Sequence, residues 1–352
     1  MLINELFVFF IMIFFRMYLF WGFKVLPREN KQVLAALPLK KQDNGTWSGV
    51  ILTYYGLLIA NAMFASLVLF FILLGGIGYP KNAIFVLAGA ILAVTIPSAR
   101  VVAGIVEKKS HTFTAAGALF VGTVFAPIAI WLANRLMEKG AADGFFDFIP
   151  VLAALAVSYC IGEGLGRLAC ISFGCCYGRP LHECGPLIRK VFNKYHFIFI
   201  GETKKIAYAH GWDGEKVVPI QAVTAMFYLS GGIAGMALFV VNAFTASYVV
   251  CLLAIFGWRF ASEYFRADYR GGGKFTAYQK MSVIGAIYGL LLAVIFAPVA
   301  SRSASFVDGL RTLWDPSLLI FLQLCWLFFF FYFGTSKIIG SKVSFFVRKE
   351  RV

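Results

Sequence analysis

Nine apolar stretches long enough to cross a bilayer recur along the chain, separated by polar segments. They lie at roughly residues 2–23, 50–74, 83–106, 115–136, 149–173, 220–241, 246–265, 281–301 and 317–334. This pattern predicts an all-α polytopic integral membrane protein with 8–9 transmembrane helices. The first stretch has Arg16 at mid-length, so an interfacial helix stays open for it. Its opening, Met1-Leu2-Ile3-Asn4-Glu5, lacks the basic region of a signal peptide, and the stretch is expected to be retained.

Between the stretches, Pro27 to Gly49 reads as a polar connector with Asn44-Gly45 as a turn. Gly75-Gly76-Ile77-Gly78-Tyr79-Pro80 reads as a tight turn, and Gly271-Gly272-Gly273 as a flexible connector. The segment 177–218 is the longest outside the spans and holds short apolar runs such as Phe197-Ile198-Phe199-Ile200. It is expected to fold as a cap over the bundle. No internal repeat is visible, so an inverted-repeat transport architecture gains no support.

Composition agrees with a membrane protein. Of 352 residues, 60% are hydrophobic and 14% charged, against about 25% charged in soluble domains. Mean hydropathy is +0.80. The net charge of +15 comes from scattered loops rather than one module, which argues against nucleic acid and for an anionic lipid or membrane surface. Lys and Arg concentrate in 24–49, 107–114, 177–218, 266–280 and the tail from 335, so all of these are expected on one side. The charge rule places that side in the cytoplasm.

Two polar runs close apolar stretches. One extends from Gly162 to Pro180 and the other from Gly257 to Asp268. Glu163 and Arg167 are four apart and share a helix face; Arg259 and Glu263 repeat the spacing, with Arg266 three beyond. Charges at bilayer depth normally face a partner or a wet cavity. One reading is two self-neutralising pairs. The other is carboxylates holding guanidinium forks whose planar donors match phosphate oxygens. Tyr54-Tyr55 opens the second span, where tyrosines also serve as interfacial anchors. Arg100 lies near the end of the third, where an arginine also snorkels to headgroups. Cys160, Cys170, Cys175, Cys176 and Cys184 lack the paired spacing of a zinc site. They are read first as packing residues, with a disulfide involving Cys184 and a catalytic thiol as alternatives, and no metal is expected.

In order along the chain, these runs resemble the bacterial prolipoprotein diacylglyceryl transferase family. Gly166-Arg167 through Gly178-Arg179 is similar to its signature Gly-Arg-x-Gly-Asn-Phe-x-Asn-Gly-Glu-x-x-Gly-Arg, in the Gly-Cys-Cys-Tyr-Gly version carried by some relatives. Tyr55-Gly56-Leu57 resembles its first-helix Tyr-Gly, Ala99-Arg100 its Gly-Ala-Arg, and Pro219-Ile220-Gln221 its Pro-x-Gln. Arg259-Phe260 to Glu263-Tyr264-Phe265-Arg266 resembles its Arg-Phe-x-x-Glu-Phe-x-Arg, and Gln279 falls before its last helix. The resemblance covers roughly 50–301, seven spans, with 1–49 and 302–352 as additions.

The resemblance implies phosphatidylglycerol or a similar anionic phospholipid as donor and a prolipoprotein cysteine as acceptor. It implies a bacterial inner-membrane protein with 177–218 facing the periplasm, opposite to the charge rule. Arg167 and Arg259 would stabilise the leaving phosphate, with Glu263 or Glu163 as base. Tyr55, Arg100, Glu163, Cys170, Cys175, Gln221 and Arg266 would contact substrate. No cofactor is implied.

Several positions depart from the family. Thr114-Ala115-Ala116 stands where it has His-Gly-Gly, Cys170 and Cys175 replace its signature Asn and Glu, and Val223-Thr224 lies where it has Tyr-Glu. The acceptor side is thereby altered more than the donor side. Another acceptor, phosphoglycerol transfer, and a noncatalytic lipid binder or transporter remain as alternatives.

Overall fold

In the computed structural model, residues 2–108, 113–137, 146–270, 275–296, 303–343 and 349–351 are described. Among them, helices of spanning length occur at all nine expected places. These are α1 (Leu2–Val25), α2 (Tyr54–Gly76), α3 (Lys81–Glu107), α4 (Ala115–Met137), α5 (Phe148–Phe173), α8 (Ile220–Val240), α9 (Phe244–Ser262), α10 (Ala277–Ile295) and α12 (Pro316–Gly334). Short helices α6 (Pro186–Phe192) and α7 (Lys205–His210) lie in the cap, and α11 (Phe306–Leu313) precedes α12. The Gly271-Gly272-Gly273 connector lies outside the described residues.

Helix α5 is the axis of the bundle. Most of its span is buried, against only 17% of the α1 window, and it packs on α2, α8 and α9. Glycines on α5 permit this closeness: a Cβ on Gly162 would meet Ser66 Cβ at 2.8 Å, and one on Gly164 would meet Leu229 Cγ at 2.8 Å. Small residues at such crossings let helices approach where lipid gives no hydrophobic drive.

Strands occur that hydropathy did not show. β1 (Val33–Lys41) and β2 (Trp47–Thr53) form an antiparallel hairpin around Asn44-Gly45, and β5 (Thr335–Ser341) pairs with the other edge of β2. The second apolar stretch therefore starts as strand. Val50, Ile51 and Thr53 are β-branched and suit a strand. Thr53 then caps α2, accepting from Gly56 N–H at 3.4 Å while donating to Gly334 O at 3.0 Å. Gly56 admits this contact, because a Cβ there would stand 2.1 Å from Gly334 Cα. The start of α2 is thus locked to the end of α12, which makes α12 part of the site end of the bundle.

The sheet and the cap share that end. Within the cap, β3 (Phe197–Ile198) pairs with β4 (Lys216–Val217). Gln32 Nε2 donates to Thr203 O at 2.8 Å, and Thr203 Oγ1 returns a bond to Gln32 Oε1 at 2.8 Å. Lys204 is fully buried, its Nζ donating to Ser172 O at 2.7 Å and Leu26 O at 3.3 Å. One ammonium thus ties the cap to the end of α5 and to the connector. Burial pushes its pKa down to about 8, partly countered by Glu29. The basic segments at 24–49, 177–218 and the described tail meet at one end, as their shared charge predicted.

Candidate functional site

A cavity of about 380 Å³ opens between α2, α3, α4, α5 and α9. Along α5 its wall is Leu152, Leu155, Ala156, Ser158, Tyr159, Gly162, Glu163, Gly166, Arg167 and Cys170, one face at three- and four-residue spacing. From Leu152 to Cys170 that face runs about 27 Å, close to the apolar thickness of a bilayer. The deep part is lined by Leu67, Phe70, Ala88, Leu119 and Leu252 among others. Charge is confined to the end near the sheet and cap, where Glu163, Arg167, Arg259 and Arg270 line the wall.

Arg167 and Arg259 come from different helices and share one acceptor. Arg167 Nη2 donates to Glu163 Oε1, and Arg259 Nη1 lies 3.5 Å from the same oxygen. Both guanidiniums are nearly enclosed, and the Nε of each is buried without a hydrogen-bond partner. Two buried cations on one carboxylate leave a positive surplus and unused donors, which is what an anion would complete.

One expected pairing is corrected. Glu263 does not hold Arg259, although the two are four apart. Its side chain, 2% exposed, accepts from Arg270 Nη2 at 3.2 Å and Thr276 Oγ1 at 3.3 Å. Glu263 is the C-cap of α9 with helical backbone angles, so its carboxylate is diverted from Arg259 by its bonds to Arg270 and Thr276 rather than by a change of backbone path. Glu263 is absent from the cavity wall, which argues against it as the base. Arg270 also pairs with Glu107 at 3.7 Å, and Tyr278 donates to that carboxylate at 2.7 Å.

The other expected residues separate into two groups. Tyr55 and Cys170 line the cavity, and the Tyr55 ring lies edge-on to Phe173 with centroids 5.7 Å apart. Gln221, Cys175, Arg266 and Arg100 are outside its wall. Gln221 is buried and donates to Cys175 O at 2.9 Å, bracing the loop after α5. Arg266 makes a two-point pair with Asp268 at 2.9 and 2.7 Å. Burial disfavours its charge, but Asp268 prevails and holds the guanidinium proton more firmly than usual. Arg100 is exposed and lies over the rings of Phe113 and Tyr332, 4.6 and 4.8 Å from their centroids. Gln279 closes a capping box with Thr276 at the start of α10.

Sequence reasoning passed over two features and noted the residues of a third without its assembly. Tyr159 lies one turn before Glu163 on the cavity face, its hydroxyl buried without a partner. Helical spacing back from Glu163 would have found it. Arg270 enters the wall from beyond the α9 run, and no periodicity marks it. The third feature is a thiol cluster. Gly174 takes a left-handed conformation (φ 68°), with Gly174 N–H donating to Ile171 O and Cys175 N–H to Cys170 O. This Schellman turn folds the chain back over the last turn of α5. Cys176 follows, also left-handed at φ 55°. The sulfurs of Cys170, Cys175 and Cys176 consequently lie within 4.8 Å of one another, all as free thiols. Loop closure, not helical spacing, assembles them.

The chain matches no protein-family model, and no curated protein is significantly similar to it.

Proposed function

We propose that the protein is a membrane-embedded transferase that takes an anionic phospholipid of the phosphatidylglycerol class and moves its diacylglyceryl group to a thiol. The observation that carries this reading is the cavity: lined mainly by apolar side chains from Leu152 to Gly162, about 15 Å along α5, it ends on two buried arginines that share one glutamate. Acyl chains match the apolar wall, and a phosphate matches the surplus charge. The family resemblance of the two arginine runs supports the same donor.

The reaction breaks the bond between the glyceryl carbon and the phosphate oxygen as sulfur attacks that carbon. A phosphodiester with one charge becomes a phosphomonoester approaching two. Guanidiniums fixed in a dry site favour this change, because their field strengthens as charge develops. Glu163 holds both forks in place before lipid arrives. Tyr159, with its free hydroxyl below Glu163, is placed to donate to an ester or phosphate oxygen of the donor.

The test is product analysis with purified protein, labelled phosphatidylglycerol and a cysteine peptide in detergent. The expected products are glycerol phosphate and a peptide thioether. Released diacylglycerol would assign phosphoglycerol transfer instead. Lipid bound but recovered intact would make the protein a lipid binder or transporter.

A further inference from the structure

We propose that Cys170, Cys175 and Cys176 form the site of one thiophilic closed-shell cation of the Zn2+ kind, with its fourth position turned to the acceptor thiol. The acceptor half rests on the transferase reading above; the cation site does not.

The geometry suits such an ion. Zinc–sulfur bonds of about 2.3 Å place tetrahedral thiolates about 3.8 Å apart. The three sulfurs already lie within 4.8 Å of one another. Their scaffold is stiff: the Schellman turn fixes Cys175 against Cys170, Gln221 braces the Cys175 carbonyl, and Ala267 N–H donates to Tyr177 O at 3.1 Å just beyond. Cys170 and Cys176 line the cavity, so the open side of the trio faces the lipid site. Three protein ligands with one open position is the arrangement of catalytic rather than structural zinc.

Charge also fits. Three thiolates around a divalent cation leave one net negative charge. Arg167 stands three residues before Cys170 on the same α5 face, where it favours that charge. Soft sulfur ligands select zinc or cuprous copper over magnesium or calcium.

Such a site supplies what the cavity otherwise lacks. A free cysteine thiol, with a pKa of about 8.5, is mostly protonated at neutral pH, and the protonated form is a poor nucleophile. Among the described residues, the one carboxylate on the cavity wall is Glu163, already engaged by two guanidiniums. Thr114 and Ala115 line the wall where no basic side chain stands. A coordinated thiol is deprotonated outright. The acceptor thiol would bind as the fourth ligand and release its proton to solvent. Its sulfur would then attack the glyceryl carbon, forming C–S as C–O breaks and the bond pair leaves on glycerol phosphate. The cation keeps its charge, and the thioether, a weaker ligand, dissociates.

The experiment loads detergent-purified, reduced protein with Zn2+ or Co2+, removes the excess, and reads metal per chain by mass spectrometry and the thiolate-to-cobalt charge-transfer band by absorption. One cation per chain is expected. It should be lost in each of Cys170→Ser, Cys175→Ser and Cys176→Ser and kept in Cys184→Ser. A cysteine peptide should shift the cobalt spectrum, and the matching serine peptide should not. If the serine variants misfold, the wild-type stoichiometry, charge-transfer band and peptide shift still decide. Absence of the band, or equal metal loss in Cys184→Ser, would overturn the site. Absence of a peptide shift would overturn the acceptor role. Full glycerol phosphate release by metal-free protein would overturn the acceptor role of the cation and leave the transferase reading standing. A shifted spectrum without glycerol phosphate release would do the reverse.

Discussion

Two buried ionic clusters sit at the same end of the bundle and are built in opposite ways. In the first, Arg167 and Arg259 share the single carboxylate of Glu163. In the second, the single guanidinium of Arg270 lies between Glu107 and Glu263, with Tyr278 and Thr276 hydroxyls completing the carboxylates. The first has cations to spare, whereas an unpartnered buried Nε occurs in both, on Arg167, Arg259 and Arg270. The second has its anions satisfied by donors from three residues, Arg270, Thr276 and Tyr278. Ion pairs buried in this way contribute little net stability, because desolvation offsets attraction. Their value lies in what remains uncompensated. The first cluster is incomplete without an anion, whereas the second fastens α3, α10 and the end of α9 together.

The sharpest way to break this comparison is to remove a cation from the first cluster. Arg259→Ala should lower glycerol phosphate release about 100- to 1000-fold, as losing a donor to a developing oxyanion does. Arg167→Lys should fall nearly as far, because an ammonium lacks the two-pronged fork. An equal loss from Arg270→Lys would erase the distinction between the clusters.

Removing the anions should separate the clusters by response to lipid. Glu163→Gln leaves two guanidiniums facing each other, a disruption worth roughly 3–5 kcal/mol for a broken buried pair. Melting in detergent should fall in phosphatidylcholine and recover in phosphatidylglycerol, which replaces the lost charge. Glu263→Gln should lower stability by about 1–3 kcal/mol with no such recovery. Recovery of both variants by the anionic lipid, or of neither, would contradict the assignment.

The contrast also marks what the sequence could and could not show. Nine helices were legible because hydropathy is a local property and each span is long. The first β-hairpin was half legible: Asn44-Gly45 announced a turn, but Val50 to Thr53 read as the start of a helix. Arg167 and Glu163 were legible as partners because one helix carries both. The bond from Arg259 to Glu163 crosses between helices, and the nearer Glu263 offered a false partner. The thiol trio was hidden for a similar reason. Cys170 and Cys175 are brought together by a left-handed Gly174, not by a repeat that spacing rules count.

Lys204 supplies a third kind of buried cation, one held by carbonyl oxygens rather than a carboxylate. Its folded pKa of about 8 lies below the ordinary lysine value of 10.5. The unfolded chain therefore binds more protons between those values, and stability should rise with pH there. The slope is at most about 1.4 kcal/mol per pH unit. The penalty is fully present below pH 8 and relieved as pH rises toward 10.5. Protease resistance of the cap, measured across that range, should increase in the native protein and become flat in Lys204→Met. The smallest effect is expected at Arg100. Its exposed contacts with Phe113 and Tyr332 are worth about 0.5–1 kcal/mol, so Arg100→Ala should change lipid turnover less than tenfold.

The central claim is that Arg167 and Arg259 bind one phosphate together. A double-mutant cycle on phosphatidylglycerol affinity, with Arg167→Ala, Arg259→Ala and the double variant, tests it most directly, using phosphatidylcholine of the same chains as reference. The account predicts a preference for phosphatidylglycerol in the native protein that either substitution largely abolishes. The second substitution should then add little, giving a coupling energy above about 1 kcal/mol. Strictly additive losses, or equal affinity of the native protein for the two lipids, would contradict it.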